Sequence, residues 1–237
     1  MIDTKFAIID TSYGPLKTFA KDSGCCKTIQ LYGDYSPLEM GIMSAYVNSE
    51  STVVDIGANI GAFTIPLAQI AKTVYAIEPQ SEVFEVLEDN IELNNLHNVN
   101  AINCAVGHHR KLGHYTPNEN GPGTVKLVDE GSKDVDVVPL DDMDIRPDFI
   151  KIDVEGTEAE VLAGGLRTIM NHRPVIFLEG SMESKEVLYI LSLMKYCASV
   201  MALPVYVPNN RNKNLNNHHP NTAHLMILAI PQEFHCQ

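Results

Sequence analysis

The sequence has no apolar run long enough to cross a bilayer. Its start, MIDTKFAIIDTSYGPLKTF, places acidic and polar residues where a signal peptide needs a basic end and an unbroken apolar run. Basic charge is scarce: 17 Lys and Arg against 30 Asp and Glu give a formal charge of -13. The densest basic groups, His108-His109-Arg110-Lys111 and Arg211-Asn212-Lys213, are too small to reverse that acidic field. The field repels phosphate backbones and anionic lipid headgroups, so neither nucleic acid nor membrane is expected as a partner, while a small or neutral substrate is admitted. Cysteine is sparse too: five residues (Cys25, Cys26, Cys104, Cys197, Cys236), without metal-ligand spacing. Reduced thiols in a soluble, cytoplasmic protein are the expectation. No internal repeat is present.

What remains is 237 residues, 45% of them hydrophobic, enough for one large α/β domain with a buried core. Residues 1–36 read as an N-terminal extension, a short β-hairpin (Phe6 to Asp10, Leu16 to Ala20) around Tyr13-Gly14-Pro15. Residues 37–237 read as the main domain. Ser36-Pro37-Leu38-Glu39 has the form of a helix start, with a Ser cap, Pro at the first helical position and Glu at capping-box distance, and the helix should run to about Val47. Strands and helices then alternate: strand Val53 to Ile56, helix Phe63 to Ala71, strand Thr73 to Glu78, a helix capped by Ser81, and strand Val99 to Val106. A loop (Asn118 to Gly123) lies between segments that can pair as a hairpin insertion, His114-Tyr115 with Thr124 to Val128; Asp134 to Pro139 is another strand. Strand Phe149 to Asp153, helix Thr157 to Met170, strand Val175 to Glu179 and helix Glu183 to Cys197 follow. Strands Ser199 to Tyr206 and Leu225 to Ile230 flank an Asn/His-rich loop (Pro208 to Thr222), expected to be mobile. Such βαβ units make a parallel sheet covered on both faces, with ligands at the carboxyl ends of its strands.

The stretch Asp55-Ile56-Gly57-Ala58-Asn59-Ile60-Gly61 puts small residues where a strand turns into a helix, so a ligand can approach the backbone closely. Glu78 falls at the end of the next strand, where a carboxylate can accept hydrogen bonds from both ribose hydroxyls. The turn lacks the three-glycine arrangement that seats a pyrophosphate, and Asp55 before it repels one. An ammonium and sulfonium, as in S-adenosylmethionine (SAM), fit that charge better.

With these residues the sequence resembles the FkbM-type methyltransferases, a branch of the class I SAM-dependent fold. VVDIGANIGAFT (Val53 to Thr64), AIEPQSEVFEVLEDNIELN (Ala76 to Asn94), INCAVG (Ile102 to Gly107), FIKIDVEGTEAEVLAGG (Phe149 to Gly165) and VIFLEG (Val175 to Gly180) carry the resemblance, over roughly residues 33–200. It implies a Rossmann-like α/β fold with a mostly parallel seven-stranded sheet and helices on both faces, and methyl transfer to an oxygen, often of a sugar or natural-product hydroxyl. By the same resemblance Asp55, Gly57, Asn59 and Gly61 hold the methionine end of SAM, Glu78 its ribose, and Asn103, Cys104 and Ala105 flank the adenine. Asn103 as a turn cap is the alternative.

The chemistry is expected from Asp153 and Glu155 after one strand and Glu179 after the next. A carboxylate raised by burial and like charge can take the acceptor's proton. Alternatively Asp153 and Glu179 gather a divalent metal that acidifies the hydroxyl. Glu155 can instead cap the helix near Thr157. One of the histidines (His108, His109, His114, His218, His219, His224) can be a base on the acceptor side, and Glu39 can face that pocket. Two other functions stay open: a methyltransferase on RNA or protein, and a non-catalytic SAM- or NAD-binding module.

Overall fold

A computed structural model describes residues 5–21, 24–118, 125–128 and 130–234. The chain opens with strands β1 (Phe6–Thr11) and β2 (Gly14–Phe19), paired antiparallel with Phe6 opposite Phe19. The expected hairpin is followed by an unanticipated helix, α1 (Cys25–Tyr32), which buries Cys26, Ile29 and Tyr32 and ends at left-handed Gly33. Helix α2 (Pro37–Ser44) begins at the expected proline but stops short of Val47. Ser36 does not cap it: its φ is 42°, and its hydroxyl donates to Glu39 Oε1 at 2.5 Å, not to an open backbone group.

The central sheet contains β3 (Thr52–Ile56), β4 (Thr73–Ile77), β5 (Val99–Ile102), β9 (Phe149–Ile152), β10 (Val175–Glu179), β11 (Tyr196–Pro204) and β12 (Ala223–Pro231). Its spatial order is β11-β12-β10-β9-β3-β4-β5, with β12 antiparallel to both neighbours and the other pairs parallel. This is the mostly parallel seven-stranded sheet expected. The order reverses between β3 and β9, a switch point that opens a crevice at the strands' carboxyl ends.

Helices α3 (Thr64–Ala68), α4 (Ser81–Leu93), α5 (Glu158–Gly164), α6 (Leu166–His172) and α7 (Lys185–Leu193) cover the sheet. Adjacent strand residues point to opposite faces. Val54, Ile56, Ile150 and Ile152 therefore pack with Val161, Leu162 and Leu191 on one side, and Val53, Phe149 and Phe177 with Phe63, Leu67 and Met43 on the other. The long helix expected from Thr157 is two helices, broken at Gly165. A Cβ on neighbouring Gly164 would collide with the Gly107 carbonyl, so the bare backbone lets α5 lie against the chain leaving β6.

That strand, β6 (Ala105–Val106), is a second departure. The run Val99 to Val106 does not form one strand: it splits at Asn103-Cys104, and β6 joins a separate three-stranded sheet with β7 (Lys111–Tyr115) and β8 (Lys133–Val138). The insertion's hairpin forms between β7 and β8; Val128 contributes one bridge to His114. Val135 and Val137 on β8 bury against Ala105 and Tyr115, and this alternation fixes the pairing. Residues 119–124, most of the expected loop and the start of its partner segment, lie outside the described residues. Ser81 opens α4 without capping it, its amide donating to the Tyr115 hydroxyl at 3.0 Å.

The N-terminal hairpin docks on α4 through Asn90, fully buried, which accepts from Lys17 N and donates to the Lys17 and Ile60 carbonyls. The Asn/His-rich loop, expected to be mobile, is tied down. Asn212 N bonds the Tyr32 carbonyl, Asn214 bonds Leu31, and His218 N donates to the Tyr32 hydroxyl at 2.9 Å. No helix among the described residues is long and apolar enough to cross a membrane.

Candidate active site

Two cavities open at the carboxyl ends of β3, β4, β9 and β10. The first, about 680 Å³, lies under the turn after β3. Gly57 N and Ala58 N both donate to the Ile77 carbonyl, fastening that turn to the end of β4. Gly57 has φ +80°, and a Cβ there would run into the Asp153 carbonyl. Asn59, also left-handed at φ 52°, presents its amide to Glu78 Oε2 at 2.9 Å. Glu78 Oε1 accepts from Gln80 N at 3.0 Å, so each oxygen of this buried carboxylate takes one backbone donor and keeps acceptor capacity. Burial pushes Glu78 up to about 7 against the pull of these bonds. The walls beyond it are Cys104, Ala105 and Val106 with Val125 and Leu127 of the insertion. Burial holds the Cys104 thiol up at about 11, so it serves as an apolar wall.

The second cavity, about 980 Å³, is bounded by Tyr35, Glu39, Glu179, His219 and His224, with Cys25 and Thr28 of α1. It meets the first at Asn59, Asp153 and Glu155, which border both. Glu78 and Asp153 both line the first cavity.

Asp55 does not line either cavity. It is fully buried, one oxygen accepting from the Thr64 hydroxyl at 2.7 Å and the other 3.2 Å from the Lys151 ammonium. The expectation that Asp55 touches the methionine end is corrected here: its charge is used inside the protein. Lys151 lies opposite Asp55 in the β3–β9 register and 3.3 Å from Asp153 Oδ2, its ammonium 5.0 Å from the Phe63 ring centroid. Burial would lower this ammonium, but the carboxylates of Asp55 and Asp153 outweigh it and hold it above its ordinary value. A lysine inside the apolar run FIKI was the available signal, and it was missed.

Gly61 (φ +91°) also leaves the contact set. It packs against Leu87 and Ile65, serving the close fit of turn and helix. Asn103 likewise turns away: its side-chain amide donates to the Glu78 and Pro79 carbonyls at 2.8 and 3.2 Å, the turn-closing alternative.

Of the three acids read as catalytic, Asp153 shares Lys151 and is partly neutralised. Glu155 does not cap α5; the Gly156 amide donates to Glu158 instead, and Glu155 faces both cavities, raised by burial and then by Asp153. Glu179 opens into the second cavity, where desolvation by its walls, then Asp153, Glu155 and Glu158, push it up to about 7, with His224 pulling back. Among the described residues, no three His, Cys, Asp or Glu converge as metal ligands, so the donor set does not favour the Asp153–Glu179 metal reading.

His224 and Glu39, from opposite ends of the chain, meet in the second cavity: His224 Nδ1 is 2.5 Å from Glu39 Oε1. Of the other histidines, His114 pairs with Asp134 on the insertion, His108 stacks on His109, and neither group lines either of these two cavities.

Parts of the chain are similar to known proteins. Methyltransferase 1 of Beauveria bassiana is 30% identical over 145 residues, 48% of this chain and 58% of that protein. A tRNA(Phe) (4-demethylwyosine(37)-C(7)) aminocarboxypropyltransferase of Methanocaldococcus jannaschii is 37% identical over 89 residues, 35% of this chain and 36% of that one. The matches thus span less than two thirds of these relatives, and the second is named for an RNA substrate, so the comparisons do not support excluding nucleic acid. The crystal structure of M. jannaschii TYW2 in complex with AdoMet shares the fold, with TM-score 0.54 at 19% identity over 95% of this chain and 85% of that one. The family model for the methyltransferase FkbM domain matches residues 55–201, well over half of the chain and containing every residue that lines the first cavity, and the chain belongs to that family.

Proposed function

We propose that the protein is a SAM-dependent O-methyltransferase acting on a neutral, hydroxylated small molecule such as a sugar. The observation that carries this reading is that Asn59, Asp153 and Glu155 line both cavities, which therefore adjoin. The residues of the first cavity suit the nucleoside. Glu78 has acceptor capacity for ribose hydroxyls, and Cys104, Ala105, Val106, Val125 and Leu127 offer apolar walls to a flat base. Gly57 and Asn59 leave backbone accessible beside it, and Asp153 and Glu155 at the junction favour an ammonium or sulfonium. When bound, SAM supplies an electrophilic methyl group on a cationic sulfur. The second cavity then receives the acceptor, with Glu179 placed to hold one of its hydroxyls.

An RNA acceptor is disfavoured on charge. Glu39, Asp153, Glu155 and Glu179 converge on the second cavity, and a phosphate backbone entering it meets carboxylates within a molecule of formal charge -13. Calorimetry with S-adenosylhomocysteine and NAD tests the cofactor: binding of the former alone is expected, and tight NAD binding without it overturns the assignment. Transfer of labelled methyl from SAM is then followed across a panel of methyl glycosides, phenols, bulk tRNA and rRNA. Label in glycosides or phenols is expected; label in RNA alone refutes the acceptor class.

A further inference from the structure

We propose that His224, oriented by Glu39, is the base that accepts the acceptor's hydroxyl proton. The inference rests on the O-methyltransferase reading and names a residue outside the three carboxylates considered for that role. Glu39, on α2, is almost fully buried, and its Oε1 takes two partners, Ser36 Oγ and His224 Nδ1, each at 2.5 Å. A buried carboxylate accepts hydrogen bonds, so Nδ1 carries the proton in this contact. The neutral ring is thereby fixed as the tautomer with its lone pair on Nε2. His224 lines the second cavity, its side chain 28% exposed and its ring 5.7 Å from that of Tyr35. A base held by a second group is the arrangement that nucleophile activation requires.

The competing groups are less well placed. Asp153 is partly neutralised by Lys151, and Glu179 has no orienting partner among the described residues. The charged groups around the ring also favour His224. Burial works against an imidazolium, but the hydrogen bond and charge of Glu39, then Asp153 and Glu179, raise its pKa above the ordinary value. His219, which lines the same cavity, is lowered by burial, then by His218 and His224. In the step, the acceptor O–H bond breaks and its proton goes to Nε2. The freed oxygen pair forms the new C–O bond as the carbon–sulfur bond breaks onto sulfur. A positive charge is lost at sulfur and another appears on His224, so the acidic walls face one cation throughout. Water removes the proton afterwards.

Ring-nitrogen NMR on the full chain, without cofactor or acceptor, tests the orientation. The neutral ring should carry its proton on Nδ1, with a midpoint above about 6.5, and Glu39→Gln should lower that midpoint by at least half a unit. A ring protonated on Nε2, or a midpoint indifferent to Glu39→Gln, overturns the proposal. With a glycoside or phenol that takes label, His224→Asn should cut kcat by about 100-fold or more while S-adenosylhomocysteine affinity stays within about twofold. Glu39→Gln should move the acidic limb of the pH–rate profile to lower pH. A His224→Asn enzyme retaining more than about a tenth of its turnover refutes the base and leaves the O-methyl reading standing. Absence of label from every glycoside and phenol refutes that reading, and the base role with it.

Discussion

Replacing Lys151 with methionine should be among the most damaging single changes to the fold. The ammonium is 1% exposed and lies 3.2 Å from Asp55 Oδ1 and 3.3 Å from Asp153 Oδ2. Methionine fills similar space, so the loss is one of charge compensation. Asp153 can turn to the cavity and recover water. Asp55 cannot: it is fully buried, and without Lys151 the Thr64 hydroxyl is the one hydrogen-bond donor left to it among the described residues. Stranding one member of a buried ion pair costs about 3–5 kcal/mol. For a chain of this size, about 2–4 °C per kcal/mol, the midpoint of thermal unfolding should fall by roughly 6–20 °C. Adding Asp55→Asn neutralises the stranded charge and keeps an oxygen for Thr64. The double variant should therefore recover much of the loss, with a coupling of about 2 kcal/mol or more in a urea double-mutant cycle. A single-variant loss under about 1 kcal/mol, or additive losses, refutes the claim that Lys151 compensates Asp55.

Glu78 makes the opposite contribution. Its folded pKa, raised to about 7, means that the stability it allows is full below the unfolded value near 4.5 and falls as pH rises through 7. The total is on the order of 3 kcal/mol, and Glu78→Gln should flatten that share of the pH–stability slope while weakening S-adenosylhomocysteine binding; an unchanged slope counts against a buried acid. Gly57→Ala should cost at least about 2 kcal/mol in urea unfolding, because its φ of +80° is strained for alanine and the new methyl meets the Asp153 carbonyl. Asn90→Ala leaves the Lys17 amide and the Ile60 carbonyl without their partner, about 1–3 kcal/mol each, and should speed hydrogen exchange at Lys17 ahead of the central strands. Equal rates there would show that the hairpin is held by other contacts.

The elements legible in the sequence were those whose physical limits are local. Val175 to Glu179 is an apolar run closed by an acid and a glycine, and the structure ends β10 at Glu179. Pro79 stops the strand before it for the same reason. Helix α1 was not legible, because the eight residues CCKTIQLY have no side-chain cap to mark their start and gain their helix by burying Cys26, Ile29 and Tyr32 against distant elements. The split at Asn103-Cys104 was equally hidden, since alternation continues across it while the chain changes sheets. In the site, Glu78 and the Gly57-to-Asn59 turn stood out because a backbone turn and a strand-end acid are short-range signals. Lys151 needed the register with Asp55, and the meeting of Glu39 with His224 spans 185 residues.

That separation bears on what can be inherited from relatives. Every residue lining the cavity at Glu78 falls within the matched family segment, residues 55–201. The second cavity is different: Cys25, Thr28, Tyr35, Glu39, Val205, His219, Thr222, His224 and Met226 all lie outside that segment. Only Asn59, Asp153, Glu155 and Glu179 of its walls lie inside. Similarity confined to the family segment therefore constrains the first cavity and says little about the second, most of whose walls come from outside that segment. An RNA-modifying relative and a sugar-modifying enzyme can share the first cavity equally well. In the proposed reading the acceptor is decided by the shape and charge that α1, α2 and the Asn/His loop place over the second, whose walls are acidic, aromatic and imidazole-lined.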